Sequence, residues 1–184
     1  MHATLCDYLA DIAQNAIEAG AGGVVLSVET GDDMVRVRVT DNGKGMDAAT
    51  LAAANDPFHS EPGKHDARRV GLGVPFLRQM VEATGGEMSV RSAPREGTQV
   101  EFAIPAGHWD APPLGDLPGT VLGLMSFGGD YDLVLERQHG GSGYTVARSE
   151  LEEALGGISD AASLGLALRF LQEQEAGLPG SGGE

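Results

Sequence analysis

Residues 34–46 read MVRVRVTDNGKGM, an alternating stretch that runs directly into a glycine-containing loop. Valines alternate there with arginines and a threonine, which predicts a half-buried strand. Asp41 stands at its end, and Gly43 and Gly45 would let the backbone approach a flat ligand closely. A plain turn explains this stretch equally well. If the loop binds a nucleotide, the Asp41 carboxylate can accept a hydrogen bond from an exocyclic amino group such as that of adenine.

The segment before this strand predicts an amphipathic helix that stops at Gly20 and Gly22. Asp11, Asn15 and Glu18 project along one side of it. That side is either an ordinary solvated stripe or a site where two acids and an amide meet. Asn15 favours the site, because asparagine is a weak helix former and here it stands in mid-helix. The opposite, apolar face would consist of Leu5, Leu9, Ile12, Ala13, Ala16 and Ile17.

Further elements follow on both sides of the glycine loop. A strand is predicted at 24–29, helices at about 47–55 and 74–84, and a hairpin of two strands at 87–92 and 98–104. The second helix opens with Gly71, Leu72 and Gly73, where free amides at a helix N-terminus can bind phosphate. The polar stretch before it, which contains Lys64, predicts either a lid or a disordered surface loop.

Composition narrows the class of protein. The chain has 184 residues, a net charge of −15 and a single cysteine, Cys6. The acidity argues against binding to nucleic acid, whose phosphates attract Lys and Arg. No apolar run approaches the length of a membrane span. Asp7 and Asp11 interrupt the N-terminus where a signal peptide would be apolar, so a cytoplasmic location is expected, with neither membrane nor nucleic acid as a partner.

The second part of the chain is the more acidic one. From residue 107 onward it holds 12 acidic and 3 basic residues. A Pro- and Gly-rich linker is predicted at 107–120, then a small acidic α+β module at 121–176 and a disordered tail at 177–184. Within the module the pattern predicts strands at 121–125, 131–136 and 144–147, followed by helices at about 149–155 and 161–175. Packing of the last helix on the sheet is favoured over docking of a partner, because of its stripe of Leu164, Leu168 and Leu171.

The order and spacing of three motifs resemble the GHKL ATPases, which include DNA gyrase, heat-shock chaperones, mismatch-repair ATPases and sensor histidine kinases. DIAQNAIEAGA at 11–21 resembles their N box, and DNGKGM at 41–46 resembles their first glycine box. Residues 56–105 resemble the lid, second glycine box and closing hairpin of a histidine kinase. The resemblance implies a histidine-kinase-like ATP-binding domain at 1–106. It also implies an α/β two-layer sandwich with three helices on one face of a mixed, largely antiparallel sheet.

Carried over position by position, the resemblance implies a site for ATP and Mg²⁺. Asn15 would be the magnesium ligand and Asp41 the acceptor for the adenine amino group, while Thr98 would close the adenine pocket. The remaining binding residues would line the base or the phosphates: Gly43 and Gly45 at the base, and Lys64, Gly71, Leu72 and Gly73 at the phosphates. Lys64, Arg68 or Arg69 would supply charge to the γ-phosphate, because the lid lacks the lysine expected shortly after Phe58.

Asp11 occupies the position at which hydrolytic members keep a glutamate and many histidine kinases an asparagine. An aspartate can polarise water, although it is one methylene shorter than the glutamate. No histidine of the chain is followed by glutamate, so no phosphoacceptor histidine domain is expected. Three hypotheses remain: a regulatory stand-alone ATPase that drives a lid or a dimer, a serine kinase acting on a partner protein, and a non-catalytic ATP-dependent binding module.

Overall fold

The computed structural model describes residues 4–55 and 73–179, which form six helices and one six-stranded sheet. The strands lie in the order β3-β4-β2-β1-β5-β6. The elements, in chain order, are α1 (Leu5–Glu18), β1 (Gly23–Thr30), β2 (Met34–Asp41), α2 (Ala48–Asn55), α3 (Gly73–Ala83), β3 (Glu87–Ala93), β4 (Gly97–Pro105), α4 (Leu117–Met125), β5 (Asp132–His139), β6 (Ser142–Ala147), α5 (Arg148–Leu155) and α6 (Ala161–Ala176).

Helix α1 begins with a capping box. The Thr4 hydroxyl accepts from Asp7 N at 3.3 Å, and the Asp7 carboxylate accepts from Thr4 N at 2.9 Å, which satisfies two backbone donors at the helix start. The apolar stripe predicted from the sequence faces the core: Leu5, Leu9, Ile12, Ala13 and Ala16 are buried and Ile17 is partly buried. This face fixes the rotation of the helix, so its polar side faces away from the sheet.

The sheet buries one face under the helices. Val28 on β1 pairs with Val37 on β2, and both are buried, as are the alternate residues of β4. On the opposite face Arg38 and Glu101 form an exposed ion pair at 2.9 Å. Among the six strands of the described residues, only β1 and β5 pair in parallel. The predicted two-layer α/β sandwich, with helices on one face of a mixed, largely antiparallel sheet, is confirmed.

The C-terminal part extends this same sheet. β5 pairs with β1, with Leu135 opposite Leu26, and β6 pairs with β5. In the last helix Leu171 is buried, and Leu164 and Leu168 pack against the core. The leucine stripe thus packs inside the protein, but the main neighbours of α6 are α4 and α5 rather than the sheet on which packing was predicted.

One predicted strand is wrong. Residues 121–125 belong to α4, which begins inside the stretch interpreted as a linker. The Asp116 carboxylate accepts from Gly119 N at 3.0 Å, and Pro118 stands in the first turn, where its missing N–H costs nothing. α4 is largely buried and carries no polar side chain except that of Thr120, so no polar face marks a helical period.

The segment before α4 also contacts the first helix. The Pro113 and Leu114 carbonyls accept from the backbone N–H groups of Leu5 and Cys6, both at 2.9 Å. These amides lie in the first turn of α1 and would otherwise lack a partner within the helix. Leu178, at the start of the predicted disordered tail, is buried, so this residue belongs to the folded part of the chain. Within residues 4–55 and 73–179, no helix is both long and apolar enough to cross a bilayer.

A buried ion pair joins α6 to the sheet. Arg137 on β5 is 3% exposed, and its Nη2 lies 2.9 Å from Glu175 Oε1. Arg137 Nη1 donates to Thr30 Oγ1 at 2.8 Å, and the Tyr144 hydroxyl donates to Glu175 Oε2 at 3.0 Å. Burial, and then the charge of Glu175, raise the pKa of Tyr144 far above its usual value, so the phenol remains a donor. The network fastens the end of α6 to β5 and β6.

Candidate nucleotide site

Asp41 lies at the carboxyl end of β2, with its side chain half-buried. Its Oδ1 accepts from Gly43 N at 2.8 Å. Burial raises the pKa of this carboxyl, while hydrogen bonds from the backbone N–H groups of Gly43 and Thr98 act in the opposite direction. A carboxylate can accept about four hydrogen bonds, so Asp41 keeps acceptor capacity beyond these two donors.

The loop that follows Asp41 is held on both sides. Asn42 Oδ1 accepts from Gly23 N at 2.8 Å, and Arg95 N donates to the Lys44 carbonyl at 2.7 Å. Gly45 has φ +63° and Gly97 has φ +81°. A Cβ on Gly45 would overlap Ala93 O, and one on Gly97 would overlap Asp41 O. Only glycine allows this close approach of loop, strand and hairpin turn.

Ser92, which the sequence analysis did not single out, joins the glycine loop to the hairpin. Its hydroxyl donates to Gly97 O at 2.8 Å and accepts from Met46 N at 2.9 Å. It also lies 3.0 Å from Thr98 Oγ1. The sequence signal that could have identified Ser92 is the predicted hairpin itself. Strand alternation on either side of a short turn puts Ser92 and Thr98 opposite each other on one face.

Asp41, Ser92, Gly97 and Thr98 line a cavity of about 290 Å³ at this end of the sheet. The cavity also reaches Thr40, Arg91 and Gln99, whose side chains alternate to the other face. It therefore wraps around the strand ends and does not extend to α1.

The polar side of α1 meets the beginning of α3. A Cβ placed on Gly73 would lie 3.2 Å from Asp11 Cβ and 3.3 Å from Asp11 Oδ2. Asp11 and Asn15 are half-buried, one helical turn apart, whereas Glu18 is exposed and accepts from Gln14 Nε2 at 2.8 Å. Asp11 therefore lies against the start of α3, whereas Glu18 is turned toward a neighbour on its own helix.

The C-terminal end of α1 lies beside the glycine loop. Ala21 N donates to Ala16 O at 3.2 Å, and a Cβ on Gly43 would lie 3.5 Å from Ala21 Cβ. The structure thus places Gly73 against Asp11 in the middle of α1, with Asn15 one turn further along the helix. It brings Asp41, Gly43, Gly45 and Thr98 together at the strand ends, beside the C-terminal end of α1. Lys64, Gly71 and Leu72 lie outside the described residues, as do Phe58, Arg68 and Arg69 and the predicted lid.

Magnesium needs few protein ligands, because it keeps several waters and binds substrate phosphates. Within residues 4–55 and 73–179 no cluster of three or more His, Cys, Asp or Glu side chains could hold a metal ion alone. A half-buried amide oxygen such as that of Asn15 fits a magnesium ion that a nucleotide carries with it.

Known proteins share this region. The family model described as Histidine kinase-, DNA gyrase B-, and HSP90-like ATPase matches residues 3–108. Sensor histidine kinase ZraS of Klebsiella oxytoca is 37% identical over 100 residues, which cover 53% of this chain and 21% of ZraS. Sensor protein TorS of Escherichia coli strain K12 is 31% identical over 114 residues, covering 61% of this chain and 12% of TorS.

Among solved structures, the catalytic domain of histidine kinase ThkA aligns with a TM-score of 0.41 and 25% identity, over 54% of this chain and 65% of that one. The chain spans only about a fifth of the length of ZraS. Because the family model covers more than half of the 184 residues, the chain belongs to the histidine kinase-, DNA gyrase B- and HSP90-like ATPase family.

Proposed function

We propose that the chain binds ATP with Mg²⁺ along α1, with the base at the strand ends and the phosphates toward α3. Asp41 accepts from the adenine amino group, Gly43 and Gly45 flank the base, and Thr98 closes its pocket. Asn15 supplies an oxygen ligand to Mg²⁺. The phosphates would be held by Gly73 at the start of α3, together with Gly71, Leu72 and the ammonium of Lys64.

The proposed site has two ends, one at the strand ends and one at the start of α3, and their different chemistry supports this orientation of the nucleotide. At the strand ends, a half-buried carboxylate stands beside glycines and makes hydrogen bonds to backbone donors, which suits a neutral base with an amino group. Gly73 opens α3, where backbone N–H groups lack helical partners and the helix dipole favours negative charge. A triphosphate fits that second end even in a protein of net charge −15, because amides and a metal ion neutralise it.

We further infer that the protein is a regulatory ATPase, and the observation that carries this is the contact between Asp11 and Gly73. It supports this role, because a carboxylate beside Gly73 would stand close to the γ-phosphate if the phosphates bind at the start of α3. Asp11 takes a proton from a water molecule as the water oxygen attacks the γ-phosphorus, the bond to the β-phosphate oxygen breaks, and ADP leaves. Bound Mg²⁺ would neutralise charge that develops on the phosphate oxygens.

The regulatory part of the proposal concerns partners. ATP turnover would move a lid or change how the chain associates with a partner. The partner would be another protein or a second copy of the chain, and the location would be the cytoplasm. The two histidines within the described residues, His108 and His139, lie in a turn and at the end of β5. Neither is carried on a helix.

Calorimetry with ATP, in the presence of Mg²⁺ and of EDTA, combined with a phosphate-release assay, tests both parts. We expect ATP to bind only in the presence of Mg²⁺, and phosphate to be released above background. Failure to bind ATP would overturn the site, whereas binding without turnover would point to a kinase that needs its protein substrate or to a nucleotide-gated binding module.

A further inference from the structure

Three polar side chains lie in a row across β2, β4 and β3. Asp41 pairs with Thr98, and Thr98 pairs with Ser92, so all three point to the same face of the sheet. Each is half-buried. Asp41 and Thr98 already have proposed contacts with the base, and Ser92 is the member of the row that the proposed function does not use.

The hydrogen-bond inventory of Ser92 determines the direction of its bond to Thr98. A hydroxyl has one proton to donate and two lone pairs that accept. Gly97 O can only accept, so the proton of Ser92 goes to it at 2.8 Å. Met46 N can only donate, so it occupies one lone pair at 2.9 Å. The 3.0 Å contact to Thr98 Oγ1 is then a hydrogen bond only if Thr98 is the donor.

We propose that Ser92 is a specificity-determining positioning residue that engages the proton of Thr98 and leaves its oxygen as an acceptor toward the base. This inference rests on the proposed function. Thr98 and the Asp41 carboxylate then present acceptors side by side, without a hydroxyl donor between them. Such a pair matches the two N–H bonds of a 6-amino group and opposes a 6-oxo group, which brings only lone pairs.

The selectivity therefore has an attractive and a repulsive part. A 6-amino purine pairs its donors, while a 6-oxo purine leaves buried acceptors facing its own oxygen, an arrangement that sites use to reject close analogues. If Ser92 loses its hydroxyl, the Thr98 proton is released and Thr98 can rotate to donate to an oxo group. Adenine would lose an acceptor by the same change.

The test compares Mg-ATP with Mg-ITP, which carries a 6-oxo group in place of the amino group, by calorimetry on the wild type, Ser92→Ala and Ser92→Thr. We expect the wild type to prefer ATP. Ser92→Ala should lower the ratio of the two affinities by roughly tenfold, the worth of one hydrogen bond to the base, whereas Ser92→Thr should keep it. An equal loss for both nucleotides in Ser92→Ala would make Ser92 purely structural and would overturn the inference.

Thr98→Val gives a second measurement should Ser92→Ala fail to fold, since it leaves the bonds of Ser92 to Gly97 and Met46 in place. ATP affinity should fall, with little change for ITP, so the ratio should again drop. An unchanged ratio would overturn the inference even though ATP still binds. Loss of the proposed function looks different, because the wild type itself would then bind neither nucleotide.

Discussion

The two halves of the sheet both bury polar groups, but they differ in how completely those groups are hydrogen-bonded within the protein. On β5, each of the three guanidinium nitrogens of Arg137 donates to a group of the protein, with Glu175 and Thr30 among the acceptors. At the ends of β2 and β4, Asp41 and Thr98 keep acceptor capacity that no described group uses up. The first network is closed and stabilises the fold, whereas the second is open and suits a ligand. Changes to the open side should alter binding or chemistry, and changes to the closed side should alter stability.

The largest effect is expected from Asp11→Asn, at the phosphate end of the proposed site. Loss of a general base typically lowers the rate by about 10² to 10⁴-fold, so phosphate release should fall by that factor. Mg-ATP affinity and the melting temperature should change little, because Asp11 stands at the phosphate end and not in the core. Steady-state phosphate release together with calorimetry measures both quantities.

Asp11→Glu is the matched control, since it keeps the carboxylate and adds the methylene found in hydrolytic members of the family; turnover should persist or rise. Hydrolysis that survives Asp11→Asn would contradict the assignment of the base, and Glu18 on the same helix would be the next residue to replace.

Glu175→Ala opens the closed network. It leaves the Arg137 guanidinium buried without its carboxylate and removes the acceptor of the Tyr144 hydroxyl. Breaking a buried pair in this way costs about 3 to 5 kcal/mol, and chemical denaturation should show that loss in the free energy of unfolding. The folded fraction should still bind Mg-ATP as the wild type does.

Glu173→Ala, on an exposed turn of the same helix, should change stability by about 0.5 kcal/mol or less. A Glu175→Ala protein as stable as this control would mean that the network is not what holds α6 to the sheet.

Asp41→Asn should weaken ATP binding by roughly tenfold to a hundredfold, because a hydrogen bond to a charged group is worth about 1.5 to 3 kcal/mol. The amide can also turn its NH₂ toward the amino group of the base, which leaves two donors facing each other. Calorimetry gives the affinity directly. Wild-type affinity in this variant would remove Asp41 from the site and with it the contrast between open and closed networks.

The smallest effect concerns the stability of the protein without nucleotide. Burial raises the pKa of Asp41 above its ordinary value of 3.8. The contribution of Asp41 to the free energy of unfolding is therefore favourable at pH values below 3.8 and is lost as the pH rises through the folded-state pKa. At pH 7 Asp41→Asn should therefore be slightly more stable than the wild type, by about 0.5 kcal/mol or less, because water still screens a half-exposed group.

Thermal denaturation at a series of pH values measures this effect. The difference in stability between Asp41→Asn and the wild type should become smaller as the pH is lowered toward 4. Asp47→Asn should behave with the opposite sign. Hydrogen bonding to Thr50 lowers the pKa of Asp47, which stabilises the fold at neutral pH and is lost on acidification. A destabilised Asp41→Asn protein at pH 7 would show that its hydrogen bonds outweigh the cost of burying the charge.

Periodicity and motif order predict the part of the fold where one face is apolar and the other polar. α1 and β2 are of that kind, and the sequence locates both within one or two residues. α4 has no polar face, so no period marks it, and only Asp116 and Pro118 indicate a helix start. The pairing of β5 with β1 joins residues such as Leu26 and Leu135 that are far apart in the chain, and no local pattern encodes such a contact.

For the candidate site, the glycines and acids are visible in the sequence because their residue types are unusual in their positions. Ser92 is not visible in this way, since a serine before a turn has many explanations. Its importance follows from the strand register, which brings it to Thr98 and Met46. Residues that act by touching a ligand can thus be proposed from motifs, whereas residues that orient them require the structure.

The parallel pairing of β1 with β5 also bears on how the chain folds during synthesis. Gly23 pairs with Asp132, so β1 emerges from the ribosome long before its neighbour exists. Until then β1 has one open edge, a template for pairing with other chains. Closing such a long loop costs entropy before any contact repays it, and contacts of this range slow folding. The docking of β5 should therefore be a late step, and chains stalled or cut before residue 132 should be the species most prone to aggregate.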